Sequence, residues 1–237
     1  MARPTLGIQM LDVGPIRLPG SYHNPATFPY PVTHRHVSGA RVDVVTGGDR
    51  DILGAYIKSA QEMERDGCRA IATSCGYTSH FQAAISAAVT VPVATSSLLL
   101  VPLVERLIPP GAKIALLTFD ANRFNEGLAK GVGWSLKTSP VIVAGVENTE
   151  SWEEMRKPQP GITHAMLARD VMAAARRVLD ANADVRAIIF ECAVFPIVAD
   201  HVRAATGLPV FDYVSMADVL AESVAGRAQA RQSAAAE

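Results

Sequence analysis

Cys75 stands in TSCGYTSH (residues 73–80) and Cys192 in ECAVFP (residues 191–196), each just after an apolar run and just before a helical pattern. The two cysteines are 117 residues apart. Sliding the chain by that distance lays RAIATSCGYTSHFQAAISAAVTVPVATS (69–96) on RAIIFECAVFPIVADHVRAATGLPVFDY (186–213) without a gap. Eight of 28 positions are identical, and Cys75 falls on Cys192 as Pro92 falls on Pro209. At a helix start, unpaired backbone N–H groups and the positive end of the helix dipole favour a thiolate and attract anions. Two such thiols looking into one cleft suit removal of a proton from one face of a carbon and delivery of a proton to the other. Cys68, in DGCRAI, falls on Val185 in the repeat and is read as a core residue.

These thiols need elements to carry them. Short apolar runs predict buried strands at 5–11, 41–45, 69–74, 91–94, 113–118, 141–145, 186–190 and 208–211. Helical patterns fall between them at 50–66, 79–89, 97–108, 122–130, 163–181, 196–206 and 215–230. A second echo, TLGIQMLD (5–12) against KIALLTFD (113–120), makes the whole chain two copies of one α/β unit. The expected fold is therefore α/β, with two similar parallel-sheet domains related by a pseudo-twofold axis and an active site in the cleft between them. Residues 1–97 with 211–237 form the first domain in this reading, and 98–210 the second. Carboxyl ends of parallel strands are where open α/β sheets place ligands, and both cysteines lie there.

Composition narrows the partners. With 22 basic and 23 acidic residues in 237, there is no electrostatic reason to expect nucleic acid or an anionic membrane as partner. The uncharged stretch 83–104 has membrane-spanning length, but Pro92 and Pro102 interrupt it, so it is read as a helix end, a strand and a new helix. Three cysteines do not suggest a disulfide framework, LGIQML is too short for a signal core, and the expected location is cytoplasmic. No Walker loop or GxGxxG fingerprint is present, and no cofactor or metal is expected. The HxH of His34 and His36 has no acidic or cysteine ligand nearby and fits a strand edge. Self-association is left open. SYHNPATFPYP (21–31) fits equally a lid over the cleft and a segment packed outside it.

Around the thiols, Ser74, Tyr77 and Thr78 could donate to a carboxylate, or cap the helix instead. Asp12 and Asp120 end equivalent strands, where a capping role competes with a ligand contact, and Asp12 is carried as a candidate.

The chain resembles the aspartate/glutamate racemase superfamily, which works without pyridoxal phosphate. ECAVFP aligns with the Cys-Thr-His-aromatic-Pro segment of glutamate racemases, GLPVFD (207–212) with the strand that follows, and TSCGYTSH with their Cys-Asn-Thr segment. The resemblance implies Cys75 and Cys192 as the proton-transferring pair and Thr118 as a substrate contact. Gly76, Ala193 and Val194 stand where the amino-acid racemases have Asn, Thr and His, which implies a less polar small carboxylate or carbonyl substrate at those positions. The leading expectation is a cofactor-independent racemase or epimerase acting α to a carboxylate or carbonyl. A maleate-type cis–trans isomerase or arylmalonate-type decarboxylase is the alternative. A ligand-binding protein without catalysis is the third reading, and the paired thiols speak against it.

Overall fold

The computed structural model describes residues 6–225. Two four-stranded parallel sheets form its framework. The first contains β1 (Leu6–Met10), β2 (Val32–His36), β3 (Ala70–Thr73) and β4 (Val93–Ala94), in the order β2-β1-β3-β4. The second contains β5 (Lys113–Thr118), β6 (Val141–Gly145), β7 (Val185–Phe190) and β8 (Val210–Phe211), in the order β6-β5-β7-β8. The second order repeats the first strand for strand, as the internal repeat requires.

The central strands are apolar on both faces because helices cover both. Leu6, Ile8, Ala70, Ile71 and Ala72 are buried in one sheet, and Ile114 to Leu117 and Ala187 to Phe190 in the other. Each fully buried Leu or Ile contributes about 1.5–3 kcal/mol relative to exposure. The helices are α1 (Val42–Thr46), α2 (Leu53–Arg65), α3 (Gln82–Ser86), α4 (Val101–Leu107), α5 (Glu126–Gly131), α6 (Glu150–Met155), α7 (His164–Ala181), α8 (Ala199–Thr206) and α9 (Tyr213–Ala225). Short 3-10 segments lead into α3, α4 and α8, at Gly76–Phe81, Ser97–Leu100 and Phe195–Val198. α4 packs on β5, whereas α9 returns from β8 to pack on β1 and β3. None of the helices among the described residues is long and apolar enough to cross a membrane.

Two expectations are corrected. Residues 41–45 are not a strand. VDVVT closes helix α1 instead, with the Thr46 hydroxyl donating to the Val42 carbonyl and Gly47 N–H to the Asp43 carbonyl. The strand beside β1 is VTHRH, Val32–His36, in register from Leu6 opposite Val32 to Met10 opposite His36. It is a half-buried edge strand with a single aliphatic residue, so counting apolar residues passes it over. Helix α6 was also not expected. Its start is capped by the Thr149 side chain, which accepts from Trp152 N–H.

Candidate active site

Both thiols line one pocket. Cys75 follows β3 in extended conformation and heads the turn Gly76–Phe81, while Cys192 follows β7 and heads the turn into Phe195–Val198. Ser74, Gly76 and Tyr77 line the pocket from the first half, and Glu191, Ala193 and Val194 from the second. Phe119 and Met155 also wall it, and so do Val42 and Thr46, one turn apart on the helix that replaced the expected strand. No lysine or arginine lines this inner pocket among the described residues. A more polar cavity shares Val13, Val42, Thr46 and Phe119 with it and carries Arg41, Arg123, Arg156 and Lys157 beside Asp12, Asp43 and Glu153.

Three expected residues lie elsewhere. The Thr78 hydroxyl is turned inward to the carbonyls of Cys75 (2.5 Å) and Thr95 (2.7 Å), and it does not line the pocket. Asp12 sits in the outer cavity and accepts from Gly39 N–H at 3.1 Å. Thr118 lies behind the wall, where its hydroxyl donates to Glu191 Oε2 at 2.6 Å. The hydroxyls of two lining residues are also engaged with the protein: Ser74 Oγ accepts from Leu11 N–H at 3.2 Å, and the Tyr77 hydroxyl donates to the Asp120 carbonyl at 2.6 Å.

Glu191 is the residue that sequence reasoning missed. It is 1% exposed, and Phe119 N–H donates to its Oε2 at 3.2 Å. The Gly76 backbone, from the opposite half, lies close enough to favour the charged form of this carboxylate. Gly76 explains how it fits: a Cβ at that position would overlap Glu191 Oε1 and lie 2.6 Å from both Cγ and Cδ. Gly76 is thus the space into which the carboxylate fits. A lone acidic residue closing the apolar run VRAIIF, directly before a cysteine, was the available signal.

Electrostatics overturn the expectation that helix starts lower the thiol pKa values. N–H groups of Tyr77 and Thr78 do favour the Cys75 thiolate, and those of Val194 and Phe195 the Cys192 thiolate. Burial outweighs them, and the charge of Glu191 adds to it, so both thiols are pushed well up. Glu191 itself is raised to about 7 by burial, against the hydrogen bonds from Thr118 and Phe119.

Replacing Glu191 with glutamine should therefore lower both thiol pKa values. Each unit changes the thiolate fraction about tenfold, and iodoacetamide at pH 8 should label Cys75 and Cys192 roughly three- to tenfold faster in the variant. Cys68 is the internal reference, because it is buried at 3% and its neighbouring charges are Arg35 and Asp66. Peptide mass spectrometry after timed quenching reads the ratio, and unchanged labelling would show that Glu191 does not govern the thiols.

The same residue sets a stability slope. A carboxyl raised from 4.5 to about 7 holds more protons folded than unfolded between those values. Its contribution is full below about pH 4.5 and is lost as pH rises through 7, about 3 kcal/mol at most. Urea melts across this window should show wild type losing stability relative to Glu191→Gln; parallel curves would refute the assignment.

A family profile described as Asp/Glu/hydantoin racemase matches residues 23–221. The chain belongs to this family. Family relatives include a dimethylsulfoniopropionate lyase of Durusdinium sp. clade D, 30% identical over 222 residues, covering 90% of this chain and 73% of that protein. Dimethylsulfoniopropionate lyase 3 of Emiliania huxleyi (strain CCMP1516) is 28% identical over 232 residues, covering 93% of this chain and 60% of the relative. Among solved structures, a glycine-to-cysteine mutant of arylmalonate decarboxylase in a sulfate-associated form superimposes with a TM-score of 0.59 at 16% identity, over 94% of both chains. That likeness concerns the fold, two domains of the α/β kind shared across the family's structures.

Proposed function

We propose that this chain is a cofactor-independent enzyme that removes the proton α to a carboxylate, with Cys75 and Cys192 as the proton-transferring pair. The observation that carries the reading is that both thiols, on equivalent segments of a duplicated fold, line one pocket. The two sheets would be the cores of domains 1–97 with 211–237, and 98–210.

For the outcome after deprotonation, β-elimination is the leading reading. The relatives matched along nine-tenths of this chain are dimethylsulfoniopropionate lyases. Their named substrate is a zwitterion, and its sulfonium would offset the Glu191 charge that adds to burial in keeping both thiols protonated. Phe119, Tyr77 and Met155 supply apolar and polarisable wall for methyl groups on sulfur. In the reaction, a thiolate takes the α-proton and the C–H electron pair becomes the C=C bond. The bond from the β-carbon to sulfur breaks, dimethyl sulfide leaves, acrylate remains, and the thiol later returns its proton to solvent.

Racemisation is the second reading, favoured by the placement of a second thiol in the same pocket, where it could deliver a proton to the opposite face. One experiment separates them. The protein is incubated in heavy water with dimethylsulfoniopropionate, and separately with each enantiomer of aspartate and glutamate. Headspace dimethyl sulfide with acrylate supports elimination, and deuterium at the α-carbon of the opposite enantiomer supports racemisation. Activity that survives in both Cys75→Ala and Cys192→Ala would sink the shared step.

A further inference from the structure

The segment between β1 and β2, which the sequence left unassigned between a lid and an outer strap, contributes a histidine to the pocket of the two thiols. We propose that His23 binds the substrate, its Nε2–H donating a hydrogen bond to a carboxylate oxygen of the acid held beside Cys75 and Cys192. This rests on the α-proton reading above and adds the group that receives the substrate's anionic end.

Three observations carry it. First, His23 is 7% exposed and lines the same pocket as both thiols. Second, its Nδ1 lies 3.3 Å from Ile16 N–H and accepts from it. That uses the Nδ1 lone pair, so a neutral imidazole carries its proton on Nε2. Burial, and then the nearby charges of His34, His36 and Arg17, hold the ring neutral, with a pKa of about 3. Third, Nε2 has no hydrogen-bond partner among the described residues. A buried donor without an acceptor is rare and needs an explanation. His23 borders the pocket, so an acid seated there is the acceptor that the proposal supplies.

The ring is held before any ligand arrives. His23 N–H donates to Ser21 Oγ at 3.1 Å, the Ser21 hydroxyl donates to the Ile16 carbonyl at 2.5 Å, and Asn24 N–H donates to the Ser21 carbonyl at 3.0 Å. The Tyr22 carbonyl lies 3.0 Å from His34 Nε2 on β2, which ties the segment to the sheet edge. With no lysine or arginine in the inner pocket, a carboxylate there depends on neutral donors. A fixed neutral donor also suits the charge that grows on the carboxylate oxygens when the α-proton leaves, because it stabilises that charge without giving up its proton.

Two substitutions separate binding from loop structure. His23→Asn places its amide oxygen near Nδ1, so it keeps the acceptor for Ile16 N–H and loses the donor. His23→Gln places its amide nitrogen near Nε2 and keeps the donor. The probe is propionate, a carboxylate with no reactive group. In wild type it should slow iodoacetamide labelling of Cys75 and shift the Nε2 resonance of His23 in protein labelled with 15N-histidine. In His23→Asn, the propionate concentration that gives half protection should rise roughly tenfold or more, while His23→Gln stays within about threefold of wild type. Equal protection in wild type and His23→Asn would overturn the proposal, as would a silent His23 resonance at saturating propionate or no protection in wild type. The resonance shift needs no variant, so a misfolded substitution does not spare the proposal. Failure of the α-proton reading shows separately, in the activity of the two cysteine variants.

Discussion

In an elimination, the variant lacking the thiol that takes the α-proton should lose about 10²–10⁴ of the wild-type kcat/KM, and in a racemase Cys75→Ala and Cys192→Ala should each lose as much, the range a positioned acid or base contributes to proton transfer. The two need not fail alike. In an elimination, one thiol takes the α-proton, and the variant lacking it should neither release product nor exchange the α-hydrogen with solvent. The other variant should still exchange it. In a racemase, each variant should retain exchange of one enantiomer only, and the preferences should be opposite. Both folds should survive, because each thiol is half-buried and removing one sulfur leaves the Glu191 hydrogen bonds in place. Circular dichroism and thermal melts check that. A variant at wild-type rate would remove that cysteine from the chemistry.

Gly76→Ala is the second large effect, and it falls on stability as well as rate. The added methyl would overlap Glu191 Oε1 and press on Cγ and Cδ at 2.6 Å, so the carboxylate or the backbone beside it must shift. Overpacking of this kind costs about 1–3 kcal/mol. Either the carboxylate leaves the bonds from Thr118 and Phe119, or the Cys75 turn shifts, and both disturb the thiols. In a Glu191→Ala background the same substitution should cost far less, because the colliding atoms are gone. A double-mutant cycle in urea reads the coupling, and simple additivity would mean that the two residues do not share this space.

The framework was largely legible in the chain because its strands are buried on both faces and read as unbroken apolar runs. KIALLT and VRAIIF are the clearest, and the repeat links Cys75 to Cys192 without any structure. VTHRH was not legible, since an edge strand with one covered face needs few apolar residues. Glu191 escaped because its partner in the repeat is Ser74, and a comparison that rewards identity passes over the position where the halves differ. His23 lies on an aperiodic segment, and only the tertiary fold brings it to the thiols. The direction of the thiol shift escaped for another reason. Helix-start N–H groups can be foreseen from local pattern, whereas the depth of burial that outweighs them cannot.

The bonds at the base of the cleft join one half to the other. The Tyr77 hydroxyl reaches the Asp120 carbonyl at 2.6 Å, and the Ser97 hydroxyl reaches the Phe190 carbonyl at 2.7 Å. Mechanically, this is a hinge pin set beside the jaws rather than far behind them. Bonds placed so close to Cys75 and Cys192 should hold the spacing of the thiols against any relative turning of the halves. The outer cavity, with Arg41, Arg123 and Arg156, would take up any such turning before the two thiols did.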